Sequence, residues 1–477
     1  RLGVMKGDYG KTTENAWNQW SEDMQRYCEQ DVEVLEALYR HILDQRYSPE
    51  ALALEHEFQA VIFHQERTGV WFDERAAQSL YAELAMRRND AVTTLQEVFP
   101  PKRIEEVFIP KANNRTRGYV KGVPFTKVRY ETFNPASRQQ IAEKHGWKPS
   151  EFTDTGQPKV DEDVLASLPF PECKPLVDYL ELLKIIGMLA EGKNGWLKLV
   201  GPDGRIHGRV ITNGAVTGRC THNSPNLAQI PARGQYGKHC RALFAAPPPL
   251  VQVGADASGL ELRMLAHYLA AYDGGAYAKV LLEGDIHTAN QHAAGLETRD
   301  NAKTFIYAFL YGAGDEKLGS IVAPLASSAV QTKRGRALKD RFFRSLPAIK
   351  RLIDDVQGVL TGPGKRPYLI GIDGRHLHIR SSHSALNTLL QSAGAVLMKL
   401  ATVIFHMEAQ RRGLRLGGDY AQVLHVHDEA QFNTTPEKAD ALGKLFVESI
   451  ELAGRHFGMR CPTTGEFKVG ANWAETH

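Results

Sequence analysis

Arg299-Asp300-Asn301-Ala302-Lys303-Thr304-Phe305-Ile306-Tyr307-Ala308-Phe309-Leu310-Tyr311-Gly312 is the stretch from which the rest of the chain can be read. Arg299, Lys303, Tyr307 and Tyr311 recur every fourth residue, so a helix brings them to one face: two cations, then two aromatic rings. Ala302, Phe305, Ile306, Phe309 and Leu310 make the opposite face apolar, fit to dock on a protein core. A cationic end suits a triphosphate and an aromatic end suits a sugar and base. An ordinary amphipathic surface helix accounts for an Arg and a Lys, but it gives no reason for a stripe that closes on Tyr311-Gly312.

Such a helix needs a reacting partner, and two strand ends offer one. Leu250 to Ala255 is an apolar run of strand length that ends at Asp256, after which Ser258, Gly259, Leu260 and Glu261 start a helix. A second strand, Ala421 to Val426, leads into His427-Asp428-Glu429. A lone Asp at a strand end is most often a helix cap. Two such carboxylates on neighbouring strands could instead hold divalent cations for phosphoryl transfer. Smaller clusters accompany them. Thr217-Gly218-Arg219 puts an Arg after a glycine turn, ahead of the extended run Pro225 to Pro231. Asn387 and Gln391 lie one helical turn apart and could donate to minor-groove acceptors, although surface amides usually do nothing. His287, in Gly284-Asp285-Ile286-His287, could donate to phosphate, although a structural histidine is the commoner fate.

The chain has 477 residues, enough for two to four subdomains. Lys+Arg 58 against Asp+Glu 55 is too balanced to name a partner, so local patches must. Cys28, Cys173, Cys220, Cys240 and Cys461 form no CxxC pair, which argues against a zinc site or a disulfide framework and for a reducing compartment. No leader or membrane-spanning run is evident, and the protein reads as soluble and intracellular. The first residue is Arg1, and Arg1 to Tyr9 reads as the middle of a domain, so upstream sequence is expected to be missing. Helical spacing covers Ser21–Leu43, Ala51–Gln65, Glu74–Val98 and Lys174–Leu199, and later Leu260–Leu282, Asp300–Tyr311, Gln331–Leu360 and Ala385–Arg412. Pro101 to Tyr130 reads as irregular and basic: a solvated loop on the bland view, a phosphate-tracking tip on the functional one. From Gly201 on, Gly, Pro and Asn punctuation marks a mixed sheet.

Taken in order, these motifs resemble family A DNA polymerases, the polymerase I type. DASGLELR (Asp256 to Arg263), RDNAKTFIYAFLYG and HDE are similar to that family's three signature regions, and TGR, PNLAQIP, GDIH, DGR (Asp373 to Arg375), NTLLQSAG and GANW extend the likeness. The phrasing is nearest the phage replicative branch. The resemblance implies an α/β (α+β) right-hand fold with a helical thumb, an antiparallel palm sheet and helical fingers. It divides the chain into a remnant of a 3′-5′ exonuclease domain at 1–47, thumb and palm entry at 48–205 with a basic insertion at 101–130, palm at 206–266, fingers at 267–370 and palm again at 371–477. It implies that Asp256 and Asp428, with the carbonyl of Ala257, hold two Mg²⁺ ions (Mn²⁺ can substitute), with Glu429 beside them among the catalytic residues. One ion would activate the primer 3′-hydroxyl and the other would neutralise the triphosphate. Lys303 would neutralise the leaving phosphate, and Arg299 and His287 would clamp its neighbours. Tyr307 and Tyr311 would meet the dNTP, with Tyr307 predicting poor discrimination against dideoxynucleotides. Glu261 would exclude a ribose 2′-hydroxyl. Arg219, Asn387, Gln391, His427 and Arg375 would contact the primer-template. The expected partners are therefore primer-template DNA and dNTPs. A processivity factor and a replicative helicase stay open, and the expected place is the cytoplasm of a phage's host.

Two departures stand out. Of the family's three exonuclease motifs only Tyr27-Cys28-Glu29-Gln30-Asp31 remains, leaving Tyr27 and Asp31 as a remnant and no proofreading expected. The basic stretch is shorter than the thumb insertions that recruit thioredoxin, so a thioredoxin-like partner is not expected. Three rivals remain: a two-metal nuclease, for which the Arg299–Tyr311 stripe has no use; a non-catalytic DNA-binding descendant, which would have lost the carboxylates; and an RNA polymerase, opposed by Glu261.

Overall fold

The computed structural model describes residues 7–477 apart from 13, 150–151, 154, 162–163, 166–167, 169 and 325. Residues 1–6, which open the expected exonuclease remnant, lie outside the described residues. Helix α1 (Glu22–Asp44) is capped by Ser21, which accepts from the Met24 amide, and it buries none of its residues. Helix α2 (Pro49–Thr68) starts with Pro at its first turn and ends at Gly69, whose φ of 65° suits glycine. Helix α3 (Glu74–Val98), capped by Asp73, stops ahead of Pro100-Pro101.

The stretch expected to be irregular is instead a β-ribbon, β1 (Lys102–Phe108) paired antiparallel with β2 (Phe125–Glu131). Its charges obscure the alternation that would have signalled strands. Beyond it, α4 (Cys173–Ile186) packs along α3 and buries Leu176, Tyr179, Leu182 and Ile185. The expected continuation to Leu199 is broken by a π-helical turn, Gly187–Glu191, before a short helix Trp196–Leu199.

Strand β3 (Val251–Ala257) runs two residues past its expected end, so Asp256 sits within it. The expected Leu260–Leu282 helix is two, α5 (Leu260–Asp273) and α6 (Ala276–Glu283), because Gly274 and Gly275 both take positive φ. Next come α7 (Ile286–Ala294) and α8 (Arg299–Leu310). The expected Gln331–Leu360 helix is likewise two, α9 (Ser328–Ser345) and α10 (Pro347–Thr361), because Pro347 starts a new helix. Helix α11 (Ala385–Arg411) precedes β4 (Tyr420–Val426), β5 (Glu429–Thr434), α12 (Pro436–His456) and β6 (Gly465–Gly470).

The four-stranded sheet has the order β4-β5-β3-β6, antiparallel throughout. Helices α11 and α12 pack on each other and α12 lies on β3 and β6. Phe405, Phe432 and Phe446 meet between them with ring centroids 4.6–5.3 Å apart. Each such buried ring contributes about 1.5–3 kcal/mol relative to exposure. That core continues into α5, α8, α9 and α10, so these helices and the sheet share one apolar interior. A second core joins Phe72, Trp196, Phe244 and Trp473 to Val423, Leu424 and Val426 of β4. Helix α11 is long and apolar enough to span a bilayer, but 83% of that window is buried inside the molecule, as befits a core helix.

Candidate active site

Register places the carboxylates. On β3, Asp256 faces Glu429 of β5 on one side and Glu466 of β6 on the other. The amide of Ala257 donates to the Asp428 carbonyl at 3.0 Å, which sets Asp428 beside the end of β3. His427 and Asp428 form the two-residue link between β4 and β5, with His427 at φ 58°. Strands far apart in sequence thus bring Asp256 and Asp428 to one end of the sheet, both exposed. Burial of the surroundings raises the Asp256 pKa, and the charges of Asp428, Glu429 and Glu466 raise it further. Burial likewise raises that of Asp428, against the lowering effect of Arg219 and His427. Neither carboxylate has a Lys or Arg within ion-pair distance among the described residues. Like charges gathered without a counter-ion are what a cation would relieve.

Glu429 differs from both. It is buried, and Trp473 Nε1, Gln431 Nε2 and His477 Nδ1 hydrogen-bond to it while Arg241 lies 3.8 Å away. Burial works to raise its pKa, but the bond and charge of His477, with Gln431 and Arg241, outweigh it and hold the group low. These donors account for both oxygens, so the protein itself compensates the Glu429 charge, unlike those of Asp256 and Asp428. Among the described residues no three His, Cys, Asp or Glu side chains are grouped to cage a metal.

Opposite lies α8. Its apolar face is buried as the spacing demands, with Ala302, Phe305, Ile306, Phe309 and Leu310 in the core, while Arg299, Lys303 and Tyr311 are exposed. The Tyr311 hydroxyl donates to Glu261 Oε1 at 2.6 Å, and Arg219 Nη2 lies 3.4 Å from the same oxygen. Burial raises the Tyr311 pKa and the bond to Glu261 adds to it. Tyr307 lies between the two sides: burial, then the charges of Glu261 and Asp428, raise its pKa, and its ring is 6.3 Å from that of His287. Burial, Arg299 and Lys303 together push the His287 pKa down. Arg299 itself is paired, with Nε and Nη2 2.7 and 3.2 Å from the two oxygens of Asp285. Asp285 also caps α7, and the Arg299 bond, with those from Thr288, holds its carboxyl well below the usual range.

Arg219, Asn387, Gln391 and His427 line one cleft of about 460 Å³ next to this site. Arg375 does not. It is buried, ion-paired with Asp373 and Glu55, and a Cβ added at Gly218 would sit 2.6 Å from its Nη1. The guanidinium of Arg375 thus lies against the Thr217–Arg219 turn, and it lines a neighbouring groove with Asn213, Val216 and His378. Tyr27 and Asp31 lie on α1, remote from these groups in the fold. Sequence reasoning passed over Asp285, although it lies in the quoted Gly284–His287 run. It also missed Glu466, whose strand is short and exposed, and the Glu55–Lys399 pair, which only a lone lysine in an apolar helix could have signalled.

The model of DNA polymerase family A matches residues 121–475. The chain belongs to DNA polymerase family A. With the DNA-directed DNA polymerases of Enterobacteria phage T3 and Escherichia phage T7, this family A polymerase is 40% identical over 580 aligned positions, covering 100% of it and 82% of each relative. Because 580 positions exceed 477 residues, at least 103 of them fall opposite gaps in this polymerase. The POL domain of Pol1 from M. smegmatis, solved in complex with DNA primer-template and dNTP, superposes with a TM-score of 0.72 at 21% identity, over 88% of this polymerase and 70% of that chain. The right-hand fold is therefore shared, and the activity is that of a DNA-directed DNA polymerase.

Proposed function

We propose that this polymerase extends a primer 3′-hydroxyl with dNTPs by divalent-cation-assisted phosphoryl transfer, in phage DNA replication in the host cytoplasm, without editing its product. The observation that carries this reading is the meeting of Tyr311 from α8 and Arg219 from the palm on Glu261, beside the uncompensated pair Asp256 and Asp428. Asp256, Asp428 and the Ala257 carbonyl are the groups that would hold two Mg²⁺, or Mn²⁺ in its place, which supply Lewis acidity for the attacking hydroxyl and charge neutralisation for the leaving group. Lys303 and His287 would bind the phosphates, and Arg299 would join them by exchanging Asp285 for phosphate oxygens. Tyr307 would stack under the sugar. Glu261, held by Tyr311 and Arg219, would occupy the space a 2′-hydroxyl needs. Arg219, Asn387, Gln391 and His427 would read the minor groove of the primer-template where it leaves the site. The subdomain limits expected from the sequence belong to the same reading, and no role is proposed for a thioredoxin-like clamp. Tyr27 and Asp31 supply at most a single acidic group on α1, which does not make a two-metal nuclease.

The test is primer extension with dNTPs, with NTPs and with no nucleotide, on the wild type and Asp428→Ala, with a mismatched labelled primer alongside. Extension with dNTPs alone, lost in the variant, and a mismatched primer left intact are expected. Extension by Asp428→Ala, or resection of the mismatch, would contradict the proposal.

A further inference from the structure

An arginine is rarely buried unless something answers its charge, and Arg241 is buried: it is 7% exposed, while Lys238 and His239 of the same short helix, Gly237–Ala242, face solvent. Two contacts define its place. The guanidinium carbon lies 4.3 Å from the centroid of the Trp473 ring, and Nη1 is 3.8 Å from Glu429 Oε2. Nε and Nη1 are buried without a hydrogen-bond partner, and Glu429 is the only ion-pair partner of Arg241 among the described residues. A guanidinium kept dry with two nitrogens unbonded is not there for its hydrogen bonds. What remains is its charge, and Glu429 is the group that receives it.

The backbone builds this arrangement. Just after Arg241, the Phe244 carbonyl accepts from the Trp473 amide at 2.8 Å, Ala245 bridges Asn472, and the Ala246 amide donates to the Ala471 carbonyl at 2.9 Å. Residues 471–473 are thereby laced to the segment that carries the arginine, and the residues after them close over one face of the sheet. Glu429 and Gln431 alternate onto that face of β5, where Gln431 Oε1 accepts from the Thr476 hydroxyl at 2.8 Å. Asp256 stands opposite Glu429 in the β3–β5 register, so both side chains leave the sheet on the same side, yet Asp256 is exposed and Glu429 covered. Trp473, Gln431, His477 and Arg241 hold Glu429 there. Of these four, only Arg241 carries a permanent positive charge.

We propose that Arg241 is a positioning residue for nucleotide transfer, confining the Glu429 carboxylate under the end of the sheet so that it neither adds its charge to Asp256 and Asp428 nor binds the cations they would hold. This rests on the reading that Asp256 and Asp428 take divalent cations. Released, a third carboxylate beside Asp256 would bind a cation more tightly and compete for it with the triphosphate, whose oxygens usually complete the shell of a catalytic Mg²⁺. An arginine present only to fill space over Trp473 would affect folding and nothing else.

Mn²⁺ binding, without DNA or nucleotide, is followed by electron spin resonance of the free ion for the wild type, Arg241→Met, Arg241→Lys and Asp428→Ala. The single-turnover rate of one dNTP addition is measured on the same proteins and on Glu429→Gln with and without Arg241→Met. Removing the arginine should tighten Mn²⁺ binding by about threefold or more and slow the addition by about 10- to 100-fold. Arg241→Lys, which keeps the charge without the planar stack, should bind Mn²⁺ as the wild type does. A glutamine at position 429 has no charge to confine, so adding Arg241→Met to Glu429→Gln should slow the reaction by at most about twofold more. Unchanged Mn²⁺ affinity in Arg241→Met, or an equal loss of rate with Glu or Gln at position 429, would overturn the proposal and leave Arg241 as packing for Trp473. Mn²⁺ binding by Asp428→Ala equal to that of the wild type would instead overturn the cation reading beneath it, and the proposal with it. Thermal midpoints identify a folding defect, and Arg241→Gln carries the same comparison should Arg241→Met not fold.

Discussion

Glu55→Gln is the substitution whose cost the structure fixes best. Glu55 Oε1 accepts from Lys399 Nζ at 2.6 Å and from Arg375 Nη1 at 2.8 Å, which links α2 to α11 and to the Asp373–Arg375 hairpin. Lys399 is only 1% exposed and its ammonium lies 5.5 Å over the Phe58 ring, so water cannot replace a missing partner. Removing one member of a buried pair typically costs 3–5 kcal/mol, and because Gln keeps one acceptor oxygen we expect about 3 kcal/mol. The pH dependence is a second signature. Burial lowers the Lys399 pKa from 10.5 and Glu55 works to raise it, so the variant's lysine falls further. A lysine whose folded pKa lies below its unfolded value makes the unfolded chain bind more protons, and stability then rises with pH. The variant's deficit should therefore narrow as pH increases toward 10.5 and be full near neutrality. Urea unfolding at neutral and alkaline pH measures both. Lys399→Met should be close to neutral, and Glu55→Gln/Lys399→Met should be more stable than Glu55→Gln alone. A loss under about 0.5 kcal/mol, or one that grows with pH, would refute the reasoning.

Three further outcomes concern the nucleotide. Tyr307→Phe should raise discrimination against ddNTPs relative to dNTPs in competitive incorporation, and equal ratios for both proteins would remove Tyr307 from that role. Glu261→Ala should admit NTPs while freeing Tyr311 and Arg219, read as the ratio of kcat/KM for dNTP and NTP; an unchanged ratio would place sugar selection elsewhere. Asp285→Asn retains a good helix cap but releases Arg299, so the KM for dNTP should fall with kcat little altered. A raised KM would show that Asp285 orients Arg299 and does not compete for it.

The α8 stripe was legible because a period of 3.6 leaves few alternatives once Phe305, Ile306 and Phe309 mark the buried face. Asp256 and Asp428 were legible as strand ends, but their meeting depends on β5 lying between β4 and β3, a pairing no local pattern specifies. The over-long helices came from reading apolar spacing through Gly274-Gly275 and Leu346-Pro347, where backbone chemistry outranks periodicity. The ribbon was hidden because Lys102, Arg103, Lys127 and Arg129 occupy strand positions that bury nothing. The pairing of Arg375 was legible only in part: its place beside Asp373 is local, but Glu55, its other partner, comes from 320 residues away.

The most direct test of the central claim is the single-turnover rate of one dNTP addition, at saturating primer-template and Mg²⁺, for the wild type and for Asp256→Asn and Asp428→Asn. We predict that each variant binds DNA as before but adds the nucleotide about 10³-fold more slowly, a loss of about 4 kcal/mol in transition-state stabilisation. Rates within tenfold of the wild type for either variant would contradict the assignment of the chemistry to that pair.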